Sequence, residues 1–125
     1  MIQLISTKKV SPPGGHYSQA VVFQNLIFVS GQLPITSEGQ KITGQIDAQT
    51  RQVLDNVQAI LEEAGSNLSS VLKSTLYISD ISLWDQVNEI YADYFQDHRP
   101  ARAVVPTKDL HHGFLIEMEV IAVKP

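Results

Sequence analysis

Between residues 51 and 64 apolar positions recur every three or four residues. Val53, Leu54, Val57, Ile60, Leu61 and Ala64 fall on one side of a helical projection, and Arg51, Gln52, Asp55, Gln58, Glu62 and Glu63 on the other. That period predicts a helix with one buried stripe. Asp47 is placed to cap its start and Gly65 to stop its end. A second helix is predicted to open at Ser82, where Asp85, three residues on, completes an acid-bearing capping box. Its buried stripe is Trp84, Val87, Tyr91, Tyr94 and Phe95, and Pro100 bars its continuation. The other apolar runs are short, β-branched or alternating, which predicts strands at 3–6, 19–23, 26–30, 71–78, 101–105 and 115–123. Gln24-Asn25 is a two-residue hairpin connection, and 34–44 is loop with a turn at Glu38-Gly39.

The order β-β-β-α-β-α-β-β runs over a single domain, residues 1–125, with no repeat or linker. It predicts a two-layer α+β domain: one sheet of about six strands with two helices on one face. Two helices can cover only that face, yet residues 20–23 and 26–29 are apolar at every position. On the last strand Ile116, Met118, Val120 and Ala122 point one way; Leu115, Glu117, Glu119 and Ile121 point the other. The helix-free face therefore calls for a covering surface, most economically another subunit, with Glu117 or Glu119 near the interface. A sheet with a few exposed valines is the alternative.

Composition narrows the function classes. Of 125 residues 43% are hydrophobic and 18% charged, as in a globular protein. A net charge of -4 and a pI near 5.4 provide no basic field for phosphate backbones. The absence of cysteine excludes disulfides, thiolate nucleophiles and cysteine-based zinc sites. No apolar run approaches the roughly 20 residues of a membrane-spanning helix. The start, Met1 to Ile5, reaches Lys8-Lys9 too early for a signal peptide, so a soluble, cytoplasmic protein is expected.

Few residues are candidates for chemistry. Arg102 lies between Pro100 and an apolar strand, where a guanidinium needs an anion, and either a glutamate of the chain or a bound carboxylate would satisfy it. Arg99 reads as a solvated loop residue. Glu117 and Glu119 form a same-face carboxylate pair, either surface groups or working acids, with no sign of a long sugar cleft. His16, His98, His111 and His112 lack the helical i, i+4 spacing of metal ligands, so no metal is expected. Ser18 and Ser30 lack a nucleophile-elbow context.

Several segments together resemble the RidA/YjgF family. Gly15-His16-Tyr17-Ser18-Gln19-Ala20 is similar to its N-terminal motif, and Val29-Ser30-Gly31-Gln32-Leu33-Pro34 to its Ser-Gly-Gln turn. Residues 49–56 resemble the start of its long helix, and Val87-Asn88 with Tyr91 and Phe95 its second helix. Pro100-Ala101-Arg102-Ala103 followed by residues 116–122 resembles its C-terminal signature. The resemblance spans the chain in order and spacing. It implies a chorismate-mutase-like fold, a homotrimer with pockets between subunits, and no cofactor. It further implies hydrolysis of 2-imino or 2-enamino acids such as 2-aminoacrylate to 2-oxo acids and ammonia. By resemblance Arg102 holds the substrate carboxylate, Glu117 handles water and Tyr17 lines the pocket. Ser30, Gly31 and Val104 contribute backbone groups, and Asn88 supports the site from the helix.

The chain departs from the family pattern at His16, in place of a proline, and at Val104, where many members carry cysteine. The loop 109–114 differs as well, which leaves substrate preference open. A non-catalytic, carboxylate-binding or regulatory trimer would use the same arginine. An endoribonuclease, a label some relatives carry, fits the acidic balance poorly and lacks a stacking surface flanked by arginines.

Overall fold

The alternating and β-branched runs become six strands in the computed structural model, which describes all residues 1–125. They are β1 (Ile2–Ile5), β2 (Ala20–Phe23), β3 (Leu26–Gln32), β4 (Val71–Ile78), β5 (Ala101–Pro106) and β6 (Ile116–Val123). Helices α1 (Ile46–Glu63) and α2 (Trp84–Phe95) complete the predicted element order. The strands form one sheet in the order β1-β2-β3-β6-β4-β5. Only β4 and β5 pair in parallel, and α2 is the crossover that a parallel pair requires.

One core fills the space between helices and sheet. Val53, Leu54, Val57, Ile60 and Leu61 of α1 are fully buried against Ile27, Leu76, Ile78, Ile116, Met118 and Ala122. Each such aliphatic side chain contributes about 1.5–3 kcal/mol on leaving water. The other sheet face carries no helix. Leu4, Val21, Phe28 and Ile121 stand side by side across β1, β2, β3 and β6. Leu4 is 66% exposed and Phe28 42%, so an apolar band remains open in the single chain.

Several local expectations change. Asp47 does not cap α1: the cap position is Gln45, without a side-chain bond, and Asp47 lies in the first turn, where its charge meets the helix dipole. Gly65 does end α1, with φ +84 and its N–H donating to the Glu62 carbonyl. Ser82 does not open α2; it lies inside a short 3-10 turn, Ile81–Leu83, and α2 begins at Trp84. Asp80, in extended backbone, caps that 3-10 turn and accepts from the Ser82 N–H at 2.8 Å, while Leu83, the residue before α2, makes no side-chain cap bond. Ile90 joins the buried stripe, whereas Trp84 and Tyr94 are only half-buried, and the Tyr94 hydroxyl donates to Asp55 at 2.8 Å. β3 runs on to Gln32 through a bulge between Val29 and Gln32.

The 3-10 cap has a testable consequence. Hydrogen bonds from Ser82 hold the Asp80 carboxyl below its ordinary range. Its stabilisation is therefore complete above that range and lost as pH falls through the depressed value. Asp80→Ala is expected to lower the melting temperature at neutral pH and to converge on the parent in acid, whereas Ser82→Ala, which loses the hydroxyl bond and keeps the backbone one, shows a smaller loss with the same pH dependence. Thermal unfolding of both variants across pH checks this.

Candidate active site

Position 102 on β5 pairs with Ser74 of β4, which is fully buried on the helix-bearing face. Side chains at this register stand on the same face, so Arg102 reaches toward α2. Its Nη1 donates to Asn88 Oδ1 at 2.9 Å. The guanidinium carbon lies 4.8 Å from the Tyr91 ring centre and 5.4 Å from that of Trp84, within cation–π range. Tyr91 is fixed in turn by its hydroxyl bond to Ser74 at 2.8 Å and by stacking on Phe95 at 4.3 Å. The chain's single ion pair is Arg51–Asp93, so no carboxylate of the chain neutralises Arg102. That removes the internal ion pair as the reason for this arginine. The half-buried Arg102 lines a cleft of about 410 Å³, with Val104 next but one along the same edge strand.

A second cluster forms where β3 bulges. Ser30 is tied down there: its N–H donates to the Gln19 carbonyl at 3.0 Å and its hydroxyl to the Ser18 carbonyl at 2.6 Å. The Glu117 carboxylate lies over Gly31 so closely that a Cβ at position 31 would overlap it. Only glycine admits this approach. Glu117 pairs in register with Tyr77, whose hydroxyl donates to Glu119 at 2.8 Å. Tyr17 and Gly31 line one cleft of about 530 Å³, together with His111 and His112. Tyr17 is exposed, and its hydroxyl accepts from the Gly14 N–H at 3.3 Å.

The structure thus groups Tyr17, Ser30, Gly31 and Glu117, and separately Asn88, Arg102 and Val104. It does not bring the two groups together. Glu117 stands beside Tyr77 on the helix-free face; Arg102 stands beside Ser74 on the other. Sequence reading missed the supporting groups. Gln19, fully buried, donates to the carbonyls of Thr7, Val10 and Ser11 and accepts from the Thr7 N–H, fixing the segment before Tyr17. Gln49 accepts from the Leu115 N–H at 2.8 Å and sets the entry into β6. Gln19 stands directly before the apolar run Ala20–Phe23, which was the available signal for it, whereas Gln49 lies among polar residues and carried none. Trp84 and Tyr91 were legible only as core, not as the cradle of a guanidinium.

The family model Endoribonuclease L-PSP matches residues 8–124. The chain belongs to the RidA/YjgF family. A RutC family protein of Pyrococcus abyssi is 46% identical over 98% of this RidA/YjgF chain and 97% of its own length. The 2-iminobutanoate/2-iminopropanoate deaminase of Rattus norvegicus is 42% identical over 98% of the chain and 90% of its own. The crystal structure of a protein of the Rid family from Yersinia pestis superposes with TM-score 0.96 at 42% identity, covering 98% of this chain and 99% of that one. The six-stranded sheet with two helices is the fold shared with that Rid protein.

The electrostatics of this RidA/YjgF chain divide between the two groups. Burial, and then the neighbouring charge of Glu119, push the Glu117 carboxyl above its ordinary value, with His111 opposing. Such a carboxyl exchanges a proton more readily near neutrality than an exposed glutamate. No three metal-ligating side chains converge, and His98 Nε2 instead bonds the Val71 carbonyl at 2.7 Å. Because the folded state holds the Glu117 proton more tightly than the unfolded chain, stability falls as pH rises from the ordinary carboxylate value to the raised one. Glu117→Gln is expected to remove that decline and to melt higher than the parent at neutral pH. Equal pH profiles for the two proteins would contradict it.

Proposed function

We propose that this protein is a hydrolytic deaminase that converts reactive 2-imino or 2-enamino acids, such as 2-aminoacrylate, to 2-oxo acids and ammonia. Arg102 carries the reading. It is a guanidinium oriented by Asn88 and two aromatic rings, without any carboxylate of its own chain to neutralise it. A planar carboxylate matches the two parallel donors of a guanidinium and would be fixed in orientation as well as bound. The name of the rat relative supports the same chemistry.

The two groups of residues require a second copy to meet. We place the reaction between subunits of a homotrimer, where the Arg102 group of one copy faces the Tyr17–Gly31–Glu117 group of its neighbour. The open apolar band around Leu4 and Phe28 supports such an assembly. In this arrangement Arg102 binds the carboxylate, and Ser30, Gly31 and Val104 contribute backbone groups around the substrate. Asn88 holds the arginine, and Tyr17 covers the substrate.

Glu117 takes a proton from water as the water oxygen bonds to the C=N carbon. It returns that proton to nitrogen to give the carbinolamine, then takes the carbinolamine hydroxyl proton as C=O forms and passes it to nitrogen as the C–N bond breaks and ammonia leaves. Electrons and protons balance with no cofactor. Imines hydrolyse readily, so positioning and one proton shuttle are sufficient. We place the activity in the cytoplasm, in keeping with a chain in which no helix is long and apolar enough to cross a membrane.

Ammonia release from an imino acid generated in situ by an amino-acid oxidase tests the proposal. Arg102→Lys keeps the charge and loses the two-pronged grip. With a charge-assisted hydrogen bond at about 1.5–3 kcal/mol, kcat/KM should fall roughly ten- to hundredfold. Arg102→Ala should be nearly inactive while keeping the parental mass and melting temperature. An Arg102→Ala protein that works at the parental rate would end the assignment, and a parent that binds 2-oxo acids without turning over imines would mark a regulatory binder.

A further inference from the structure

The Arg102 cleft holds a second guanidinium. Arg99 lines the same space of about 410 Å³, as do Asn88, Gln96 and His98, and no aspartate or glutamate lines it. Neither arginine has a carboxylate within ion-pair distance, the chain's one ion pair being Arg51–Asp93. On a chain with net charge -4, this cleft gathers two guanidinium groups and no carboxylate. Both stay charged at any physiological pH, and at close range they repel each other unless anions lie between them. Pro100, whose ring fixes φ, and Ala101 separate the two backbone positions at the entry to β5. Around Arg102 the partners are neutral: an amide oxygen and two ring faces. The cleft therefore has capacity for two negative charges and supplies none itself.

We propose that the cleft accepts a dicarboxylic substrate, a 2-imino diacid whose α-carboxylate lies on Arg102 and whose side-chain carboxylate lies on Arg99. Arg99 is then a specificity-determining residue. This rests on the reading of Arg102 as the carboxylate-holding residue and adds to it the class of side chain preferred. The chemistry at the C=N carbon is unchanged. Exposure of Arg99 to solvent makes its contribution sensitive to ionic strength, because screening weakens an exposed pair more than a partly buried one.

Turnover of 2-iminoglutarate and 2-iminopropanoate, generated from glutamate and alanine by amino-acid oxidases, tests the proposal on the full-length protein. The parent should show the higher kcat/KM for 2-iminoglutarate, with a preference that shrinks as salt rises. Arg99→Ala should lose about tenfold on the diacid and much less on the monoacid, and Arg99→Lys should recover part of the loss. Equal efficiency on the two imines in the parent, or an equal loss on both in Arg99→Ala, would overturn the diacid preference and leave the deaminase reading intact. If the parent hydrolyses neither imine, the deaminase reading fails and calorimetric binding of 2-oxoglutarate and pyruvate decides the cleft. Tighter, Arg99-dependent binding of 2-oxoglutarate would support it, and equal binding would overturn it.

Discussion

A side chain cannot reach through a β-sheet, and this one separates the two halves of the candidate site. Arg102 stands on the helix-bearing face in register with Ser74, and Glu117 on the open face in register with Tyr77. The alternation of a strand fixes both directions, and no rotamer change within a protomer can reverse them. A carboxylate held by Arg102 and a water handled by Glu117 therefore meet only if another copy supplies one of them. The open apolar band on the Glu117 face and the edge position of β5 leave room for that copy. Under the proposed assembly, folding and catalysis depend on the same interface.

Within each half the chain prepares a charge without neutralising it. An arginine paired to an internal glutamate would be stable but closed to ligand. Here Asn88, Tyr91 and Trp84 restrict the guanidinium while leaving most of its donors free. On the other face Gly31 allows the Glu117 carboxylate to press onto the backbone, and burial with Glu119 nearby keeps its proton affinity high. Preorganised groups of this kind favour the charge changes of a reaction, because little reorganisation remains to be done when substrate arrives.

Much of this was legible in the sequence, because each legible part depends on local periodicity. The α1 stripe, the span of β4 and the two-sided alternation of β6 follow from three-and-four or two-residue spacing, and the structure reproduces them. The isolation of Arg102 between Pro100 and an apolar strand marked it as a group in need of an anion. Less local features were hidden. The face on which Arg102 stands depends on the β4–β5 register, which the spacing of either strand alone does not specify. The packing of Gly31 under the Glu117 carboxylate joins residues far apart in the chain, and the spacing around neither shows it. Trp84 and Tyr91 have the period of a core stripe, and their second role as an arginine cradle has no period at all. The expected cap at Ser82 is replaced by Asp80 capping a 3-10 turn over Ile81–Leu83, and that turn delays the start of α2 by two residues, from Ser82 to Trp84.

Complementation between two inactive proteins tests the shared site most directly. Arg102→Ala retains an intact Glu117 group, and Glu117→Gln retains an intact Arg102 group. Subunits of the two variants, unfolded together and refolded as a mixture, would assort into cyclic trimers, and each mixed trimer would contain one interface with both groups intact. Random assortment then restores roughly a quarter of the parental imine hydrolysis, from two preparations that are nearly inactive alone. Activity in the mixture no greater than the sum of the separate variants, with subunit exchange verified by mass, would contradict a site built from two copies of the chain.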